Sequence, residues 1–417
     1  MDKIEFKDLK PEGRFLKYVR IDTQSDPSSE SVPSTEKQKN LSRLLVEELI
    51  ELGLTNVELD ENGYTYATLP SNSDKQVPTI FFCSHVDTSP DCSGTNVSPV
   101  VHENFNGSPI LFSNDPALKL TTEAHPALLD QLGNDIITAD GTTLLGADNK
   151  AGVAEIMAAM EYLVTHPEIK HGTVKVLFTP DEEIGRGVDH VNVKKLGADF
   201  GYTIDGETLG HIENETFSAD SATLVIYGVS THPGFAKNKM KSAIKIASAI
   251  IDNLPKTTLT PETTDHKDGF IHPVQITGGI EKCTVHFILR DFRTEKLAEM
   301  ANLIEMVTKK VIAEFSGAKF ELQIQKQYRN MKEVLVNHPL VTEIAVEAVE
   351  SLGITPLLSS IRGGTDGSRL SFMGLPCPNI FAGEHAFHSK LEWVSVQDMQ
   401  KAAATIVRIA ELWESKS

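Results

Sequence analysis

Carboxylate and imidazole side chains recur in this sequence where apolar runs end. His85 and Asp87 follow the run TIFFCS, Asp205 follows GYTI, and the acidic stretch 181–183 follows VKVLFTP. Because side chains two residues apart on a strand point to the same side, His85 and Asp87 can face one cleft. Imidazole nitrogens and carboxylate oxygens are common ligands of zinc and similar divalent metals. The spacing therefore predicts a metal site.

The number of candidate ligands favours two metal ions. Asp148 lies in G-A-D-N-K-A-G at the start of a predicted helix, where it can serve as an N-cap, a ligand or both. Crowding three carboxylates at 181–183 costs free energy unless cations neutralise them. With His85 and His388 there are too many ligands for one tetrahedral zinc. A dinuclear centre, with metals about 3.5–4 Å apart and a bridging carboxylate, would use them all.

The elements that must position these residues alternate between strands and helices. Helical spacing of leucines predicts a helix over 40–53, and a second helix is predicted over 149–166. The last helix should begin after Ser395, with Asp398 completing a start that resembles a capping box. Predicted strands occupy four apolar runs, at 77–88, 173–183, 199–207 and 376–385. This alternation predicts an α/β fold with a mixed, largely parallel sheet covered by helices.

The pattern changes near residue 216. From there to residue 329 the order is β-α-β-β-α-β, with its first helix predicted over 235–254. This order is typical of a small α+β domain whose helices share one face of a sheet. We therefore predict a catalytic domain at 1–215 and 330–417, interrupted by an inserted domain at 216–329.

The ordered motifs resemble a known enzyme family. H-V-D-T, G-A-D-N-K-A-G, T-P-D-E-E-I-G-R-G, T-I-D-G and F-H-S-K-L-E resemble the cocatalytic dizinc aminopeptidase/carboxypeptidase superfamily over nearly the whole chain. The stretches 231–243 and 359–383 resemble its tripeptide aminopeptidases. The resemblance implies a zinc-exopeptidase-like fold and a cytoplasmic hydrolase that removes the N-terminal residue from short peptides, preferentially tripeptides.

The resemblance also implies a ligand set for two Zn²⁺ ions per subunit, with Co²⁺ or Mn²⁺ as substitutes. One ion would be held by His85 and Asp205, the other by Glu183 and His388, and Asp148 would bridge them. His385 competes for the role of His388, but H-S-K-L-E, counted from residue 388, matches the family spacing.

Further roles follow from the same resemblance. Glu182 matches the general base, which would take a proton from a water held between the metals and return it to the leaving amine. Asp87 matches a carboxylate that orients the metal-bound histidine. The peptide bond between Asp148 and Asn149 should be cis.

Three residues are candidates for binding the peptide. His232, in T-H-P-G, matches a residue that stabilises the tetrahedral oxygen, and an ordinary loop histidine is the alternative. Arg290 and Arg362 could grip the terminal carboxylate, or form structural ion pairs instead. The resemblance also implies that the inserted domain acts as a lid and as the surface of a homodimer.

Composition narrows the function classes. The formal charge of −19 makes nucleic acid a poor partner, and no apolar run reaches the length that crosses a membrane. No secretory signal is readable in the first residues. The four cysteines form no C-x-x-C pair, so they are expected to be reduced thiols.

Other functions share these features. A related amidohydrolase or carboxypeptidase would keep every metal ligand and differ in its substrate pockets, so 359–383 should discriminate among them. A peptide-binding protein without turnover would need the ligands but not Glu182. A calcium-organising acidic surface is disfavoured, because histidines are poor calcium ligands.

Overall fold

The computed structural model describes residues 4–417 and divides them into two compact units. The first unit runs to Asn214 and includes Val334–Ser359 and Thr365–Ser417. The second unit comprises Glu215–Glu333 and Ser360–Gly364. The chain therefore leaves the first unit and returns to it twice.

Eighteen strands lie within residues 4–417: β1 Thr55–Leu59, β2 Thr65–Leu69, β3 Ile80–His85, β4 Val100–His102, β5 Ile110–Phe112, β6 Asp115–Leu120, β7 Ile136–Thr138, β8 Val174–Thr179, β9 Phe200–Gly206, β10 His211–Thr216, β11 Ser218–Tyr227, β12 Phe270–Gly278, β13 Lys282–Asp291, β14 Lys319–Lys326, β15 Leu357–Ile361, β16 Asn379–Phe381, β17 Glu384–His385 and β18 Trp393–Ser395.

The α-helices of the same range are α1 Pro11–Tyr18, α2 Gln38–Glu51, α3 Ala147–Thr165, α4 Val193–Leu196, α5 Ala243–Asn253, α6 Thr294–Ile312, α7 Lys332–Leu335, α8 Pro339–Ser351, α9 Asp366–Phe372 and α10 Val396–Ser415. Short 3₁₀ turns occur at Phe6–Asp8, Pro126–Gln131, Glu182–Ile184 and Pro233–Phe235.

An eight-stranded sheet organises the first unit, in the order β1-β2-β8-β3-β9-β16-β10-β15. Strand β3 runs parallel to β8 and β9, β9 runs parallel to β16, and the pairs β1–β2, β2–β8 and β10–β16 are antiparallel. This confirms the predicted mixed, largely parallel sheet. Because β8, β3 and β9 are parallel neighbours, their carboxyl ends lie at one edge.

The apolar runs become central strands because both faces of the sheet are covered. Every residue of β3 is buried, and its side chains alternate between two apolar clusters. Ile80 and Phe82 pack in the larger cluster, which includes α3 and α10, whereas Phe81 and Cys83 pack in the cluster that includes Leu370. A continuous apolar run is therefore what this position requires.

Helix α3 lies in the centre of the larger cluster, and most of its residues are buried. It contacts β3, β9 and α10. Its first turn is irregular: Asp148 and Asn149 have non-helical dihedral angles, and the bond between them is cis, as predicted. Helix α10 starts at the predicted place, with the Ser395 hydroxyl accepting a hydrogen bond from the Asp398 amide.

A smaller sheet lies in the same unit, in the order β17-β18-β7-β4. Strand β18 pairs antiparallel with both β17 and β7. The short loop between β17 and β18 carries His388, and the segment between β7 and α3 leads to Asp148. This sheet therefore joins two segments that carry candidate ligands.

The second unit contains an antiparallel sheet in the order β12-β13-β11-β14, with α5 and α6 packed against it. Alternate residues of β13 are buried, in register with an apolar cluster that includes Val285, Phe287 and Leu289. The order β-α-β-β-α-β is present as predicted.

One helix boundary was predicted wrongly. The helix expected over 235–254 begins at Ala243. Residues 233–235 form a 3₁₀ turn, and Asn238 has φ of 61°, a left-handed conformation that interrupts a helix.

No helix within residues 4–417 is both long and apolar enough to cross a membrane. The four cysteines are free thiols, as expected, and Cys83, Cys283 and Cys377 are buried.

Gly152 allows α3 to approach the sheet closely. A Cβ atom there would lie 2.1 Å from the carbonyl oxygen of Ile204 and 2.6 Å from Ser84 Oγ. We expect Gly152→Ala to lower the free energy of unfolding by about 1–3 kcal/mol, because backbone must move to admit the methyl group.

The matched control is Gly13→Ala in α1, where a Cβ would meet nothing within 4 Å. It should be neutral or stabilise by up to about 1 kcal/mol. Urea unfolding of both variants measures the difference, and equal midpoints would contradict the close approach.

Candidate metal centre

The carboxyl ends of three neighbouring strands supply most of the candidate ligands. His85 is the last residue of β3, Asp205 is the penultimate residue of β9, and Glu183 lies in the 3₁₀ turn after β8. Sites in α/β sheets commonly form at this edge. Asp148 at the start of α3 and His388 in the β17–β18 loop complete the cluster.

One group consists of His85, Asp148 and Asp205, with ligand atoms that all lie within 4.8 Å of one another. His85 Nε2 lies 2.9 Å from Asp148 Oδ1 and 3.5 Å from Asp205 Oδ1. His85 is buried, and the two aspartates are partly buried. The group presents one imidazole nitrogen and two carboxylates.

A second group consists of Asp148, Glu183 and His388, within the same 4.8 Å limit. His388 Nε2 lies 3.3 Å from Asp148 Oδ2 and 2.8 Å from Glu183 Oε2. The two oxygens of Asp148 therefore face different histidines, Oδ1 towards His85 and Oδ2 towards His388. This is the arrangement that a bridging carboxylate requires.

The electrostatics of the cluster fit divalent cations. Burial raises the pKa of Glu183 to about 8, and its Oε1 is buried with no hydrogen-bond partner among residues 4–417. Hydrogen bonds with Asp148 and Glu183 raise the pKa of His388 to about 11. These carboxylates thus need nearby positive charge, which metal ions would supply. Nitrogen and oxygen donors without thiolate suit zinc, cobalt or manganese.

Asp87 lies behind His85 and is fully buried. Its Oδ1 is 3.3 Å from His85 Nδ1, the ring nitrogen that faces away from the cluster. The same carboxylate accepts hydrogen bonds from the backbone amides of Glu182 at 3.0 Å and Glu183 at 3.2 Å. Asp87 can therefore orient the ring, and it also holds the Glu182–Glu183 turn.

Glu182 differs from its neighbour. Its carboxylate has no hydrogen-bond or ion-pair partner within residues 4–417, whereas Glu183 contacts His388. Burial raises the pKa of Glu182 well above its ordinary value. A carboxylate with a raised pKa and no fixed partner is suited to proton transfer.

Asp181 and Asp91 also contact residues of the cluster or the turn that carries them, and sequence analysis assigned no role to either. Asp181, at φ of 58°, accepts hydrogen bonds from Ser34 N at 2.7 Å and Gln38 Nε2 at 2.6 Å, which fixes the turn that leads into Glu182. Asp91 Oδ2 lies 3.3 Å from His388 Nδ1. Asp91 can therefore orient the ring of His388. The one sequence signal for this contact is that Asp91 follows Asp87 by four residues.

His385 lies outside both groups. Its ring stacks on Trp393 with centroids 4.1 Å apart, and its Nδ1 lies 3.2 Å from Glu207 Oε1. His388, rather than His385, is therefore the histidine beside Asp148.

The three candidate peptide-binding residues belong to the second unit. His232 is exposed, and its Nδ1 accepts a hydrogen bond from Gly234 N. Arg362 donates from Nη1 to the carbonyls of His266 and Asp268, and from Nη2 to Thr264 Oγ1. Arg362 therefore clasps one loop of its own unit.

Arg290 is held differently. Its Nη1 donates to the carbonyls of Asp220 and Leu289, and its guanidinium lies 5.5 Å from the Tyr328 ring centroid. Its Nε and Nη2 have no protein partner within the described part of the chain. One complete edge of the guanidinium is thus available for a carboxylate.

Comparison of the sequence with known proteins finds relatives in one peptidase family. Residues 138–412 match the pattern of Peptidase family M20/M25/M40. Peptidase T of Clostridium botulinum (strain 657 / Type Ba4) is 49% identical over 403 residues, which cover 97% of this chain and 98% of the relative. Peptidase T of Caldanaerobacter subterraneus is 48% identical over the same coverage.

Solved structures share the fold. Aminopeptidase PepT from Bacillus cereus aligns with a TM-score of 0.75 at 23% identity, over 99% of both chains. A tripeptidase from Staphylococcus aureus aligns with a TM-score of 0.76 at 23% identity, over 99% of this chain and 100% of that chain. A dinuclear metal binding peptidase of the M20 family from Bacillus subtilis aligns at 0.64 and 14% identity, over 96% and 98%.

The shared carboxylate predicts unequal effects of ligand removal. We expect Asp148→Ala to lose both metal ions and His388→Ala to lose one, because Asp148 belongs to both groups and His388 to one. Metal bound per chain after gel filtration, measured by atomic emission, checks this. The control His190→Ala removes an exposed histidine and should bind metal as the parent does. Two ions retained by Asp148→Ala would contradict a bridging role.

Proposed function

Because this chain belongs to peptidase family M20/M25/M40 and groups there with peptidase T, we propose that it is a dinuclear metallo-aminopeptidase that releases the N-terminal residue of tripeptides. The observation that carries this proposal is the pair of ligand groups that share Asp148, together with Glu182, whose carboxylate has no hydrogen-bond or ion-pair partner in the described part of the chain. The ligands suit metal ions, and Glu182 suits a base.

The proposed ions are two Zn²⁺, with Co²⁺ or Mn²⁺ as substitutes. His85 and Asp205 would hold one, Glu183 and His388 the other, and Asp148 both. When bound, the pair would supply Lewis acidity towards the scissile carbonyl and lower the pKa of a coordinated water. The all-nitrogen-and-oxygen donor set supports this choice.

Glu182 carries the proton in the proposed reaction. Its carboxylate accepts a proton from the attacking water and delivers it to the amine of the departing dipeptide, so one residue acts first as base and then as acid. Asp87 keeps Glu182 in place by accepting the Glu182 amide hydrogen bond, and it orients His85. In this proposal Glu182 transfers a proton, whereas the adjacent Glu183 is a metal ligand.

Tripeptide selectivity requires that both ends of the substrate be recognised. Carboxylates beside the metal groups suit the ammonium group at the amino end. For the carboxyl end we favour Arg290, because its Nε–Nη2 edge can make two parallel hydrogen bonds. Arg362, which donates to three oxygens of the 264–268 loop, is better suited to fixing that loop.

We assign to His232 the stabilisation of the tetrahedral oxygen. Its exposure on the inserted domain, proposed at 216–329, is compatible with such a role, and it requires that domain to act as a lid. A homodimer formed through the inserted domain is part of the proposal. We further propose a cytoplasmic location, which the four free thiols support.

A related dizinc amidohydrolase or carboxypeptidase is the second candidate, because it would use the same ligands and base. Only the recognition of a free amino terminus separates the two. A peptide-binding protein that hydrolyses nothing is disfavoured, because it would not need Glu182 as a base.

Hydrolysis of di-, tri- and tetra-alanine, with Zn²⁺ or Co²⁺ added, tests the proposed activity. We expect fast release of the first residue from the tripeptide and little cleavage of its N-acetylated form. Glu182→Gln should lower kcat by about 10²–10⁴-fold, the usual contribution of a general base, with bound metal unchanged.

Cleavage of the acetylated peptide would favour the related amidohydrolase. If the parent chain bound two metal ions but turned over no peptide, the binding-protein alternative would replace the proposal. The metal content of Glu182→Gln separates loss of the base from loss of the site.

Arg290→Lys tests recognition of the terminal carboxylate. An ammonium group cannot reproduce the two parallel bonds, so kcat/KM for trialanine should fall about 10- to 100-fold. Trialanine amide, which lacks the carboxylate, should be affected far less. Arg293→Lys, at an exposed arginine three residues away, is the matched control. If Arg362→Lys rather than Arg290→Lys changed the ratio, the assignment would be wrong.

A further inference from the structure

Glu392 is a buried carboxylate that no step of the proposed reaction uses. It is 1% exposed, and it accepts three backbone hydrogen bonds from the segment that leads into α3. One oxygen, Oε2, accepts from Leu145 N and Gly146 N, each at 2.8 Å. The other oxygen, Oε1, accepts from Asp148 N at 3.0 Å. The carboxylate thus spans the backbone on both sides of Ala147.

These three amides cannot be satisfied within α3. The first N–H groups of a helix have no intrahelical acceptor, and α3 begins at Ala147 after Gly146, whose φ is 81°. Burial makes an unmatched donor costly, so the segment needs an acceptor from elsewhere in the chain. A carboxylate also places negative charge at the amino end of the helix, where it is favourable.

Glu392 and His388 reach Asp148 from the same loop. The loop between β17 and β18 carries both residues, four positions apart. His388 Nε2 lies 3.3 Å from the side chain of Asp148, while Glu392 binds its backbone amide. Ser389 shapes the loop: its hydroxyl donates to the Ala386 carbonyl at 2.7 Å, and its carbonyl accepts from Glu392 N at 3.3 Å.

The orientation of Asp148 tolerates little error. Its Oδ1 lies 2.9 Å from His85 and its Oδ2 lies 3.3 Å from His388, so a shift of its backbone would disturb both groups together. We propose that Glu392 is a positioning residue that fixes the backbone of Asp148, so that both of its oxygens can serve two metal ions at once. This inference rests on the proposed dinuclear function.

The decisive variant is Glu392→Gln. A carboxamide keeps one acceptor oxygen but turns an N–H₂ group towards an amide that needs an acceptor. Residues that orient metal ligands typically change affinity by about 10- to 100-fold when mutated. We expect both metal sites of Glu392→Gln to weaken by that factor, measured by competition with a chromophoric chelator.

Two further variants separate positioning from general stability. Asp398→Asn makes the same carboxylate-to-amide change at a residue that is 1% exposed and bonded to Gln131, and that belongs to neither metal group. It should lower the unfolding midpoint without changing metal affinity. Glu392→Asp keeps the charge but shortens the reach, so its metal affinity should lie between those of the parent and Glu392→Gln.

The outcomes are distinct. Metal affinity in Glu392→Gln that equals the parent value, or falls no further than in Asp398→Asn, would overturn the positioning role. If Glu392→Gln failed to fold, Glu392→Asp carries the same test, because unchanged affinity there would also overturn it. Because the readout is Zn²⁺ affinity, a parent chain that binds two ions but hydrolyses no peptide would defeat the proposed function and leave this inference intact.

Discussion

The two oxygens of Asp148 set the constraint on which the rest of the site depends. Each oxygen faces a different histidine, at 2.9 Å and 3.3 Å. One side chain must therefore fit two ligand groups at once, and the other members of those groups come from distant parts of the chain. Rigid elements are needed to hold such a geometry. Here β3 and β9 supply one group, α3 supplies the shared carboxylate, and the small sheet supplies His388.

Negative charge is the main cost of this arrangement, and the surrounding structure manages it with backbone amides. Asp87 accepts the amides of Glu182 and Glu183, and Asp181 accepts the Ser34 amide. Such bonds hold acidic side chains without adding cations that would compete with metal ions. Within residues 4–417 the Glu182 carboxylate has no hydrogen-bond or ion-pair partner, which suits its proposed role in proton transfer.

Sequence reasoning reached the fold through local patterns, and it reached the members of the cluster through local patterns together with the family resemblance of the ordered motifs. The run IFFCS identified a central strand, and its position before His85 placed that residue at the sheet edge. Sequence reasoning failed where a single backbone conformation or a long-range contact determines the structure. The left-handed Asn238 displaced the start of α5, and the role of Asp181 depends on Ser34 and Gln38, more than a hundred residues earlier. Neither the backbone conformation of Asn238 nor the contacts of Asp181 produce a periodic pattern in the sequence.

The discontinuous course of the first unit governs when the site can assemble during synthesis. His85, Asp148 and Asp205 emerge in the first half of the chain, but β16, which separates β9 from β10, and His388 follow the entire inserted segment. Domains form as units while translation proceeds. A growing chain can therefore gather one ligand group early, yet it cannot complete the second until translation is almost finished, so an unfinished polypeptide lacks part of the proposed metal centre.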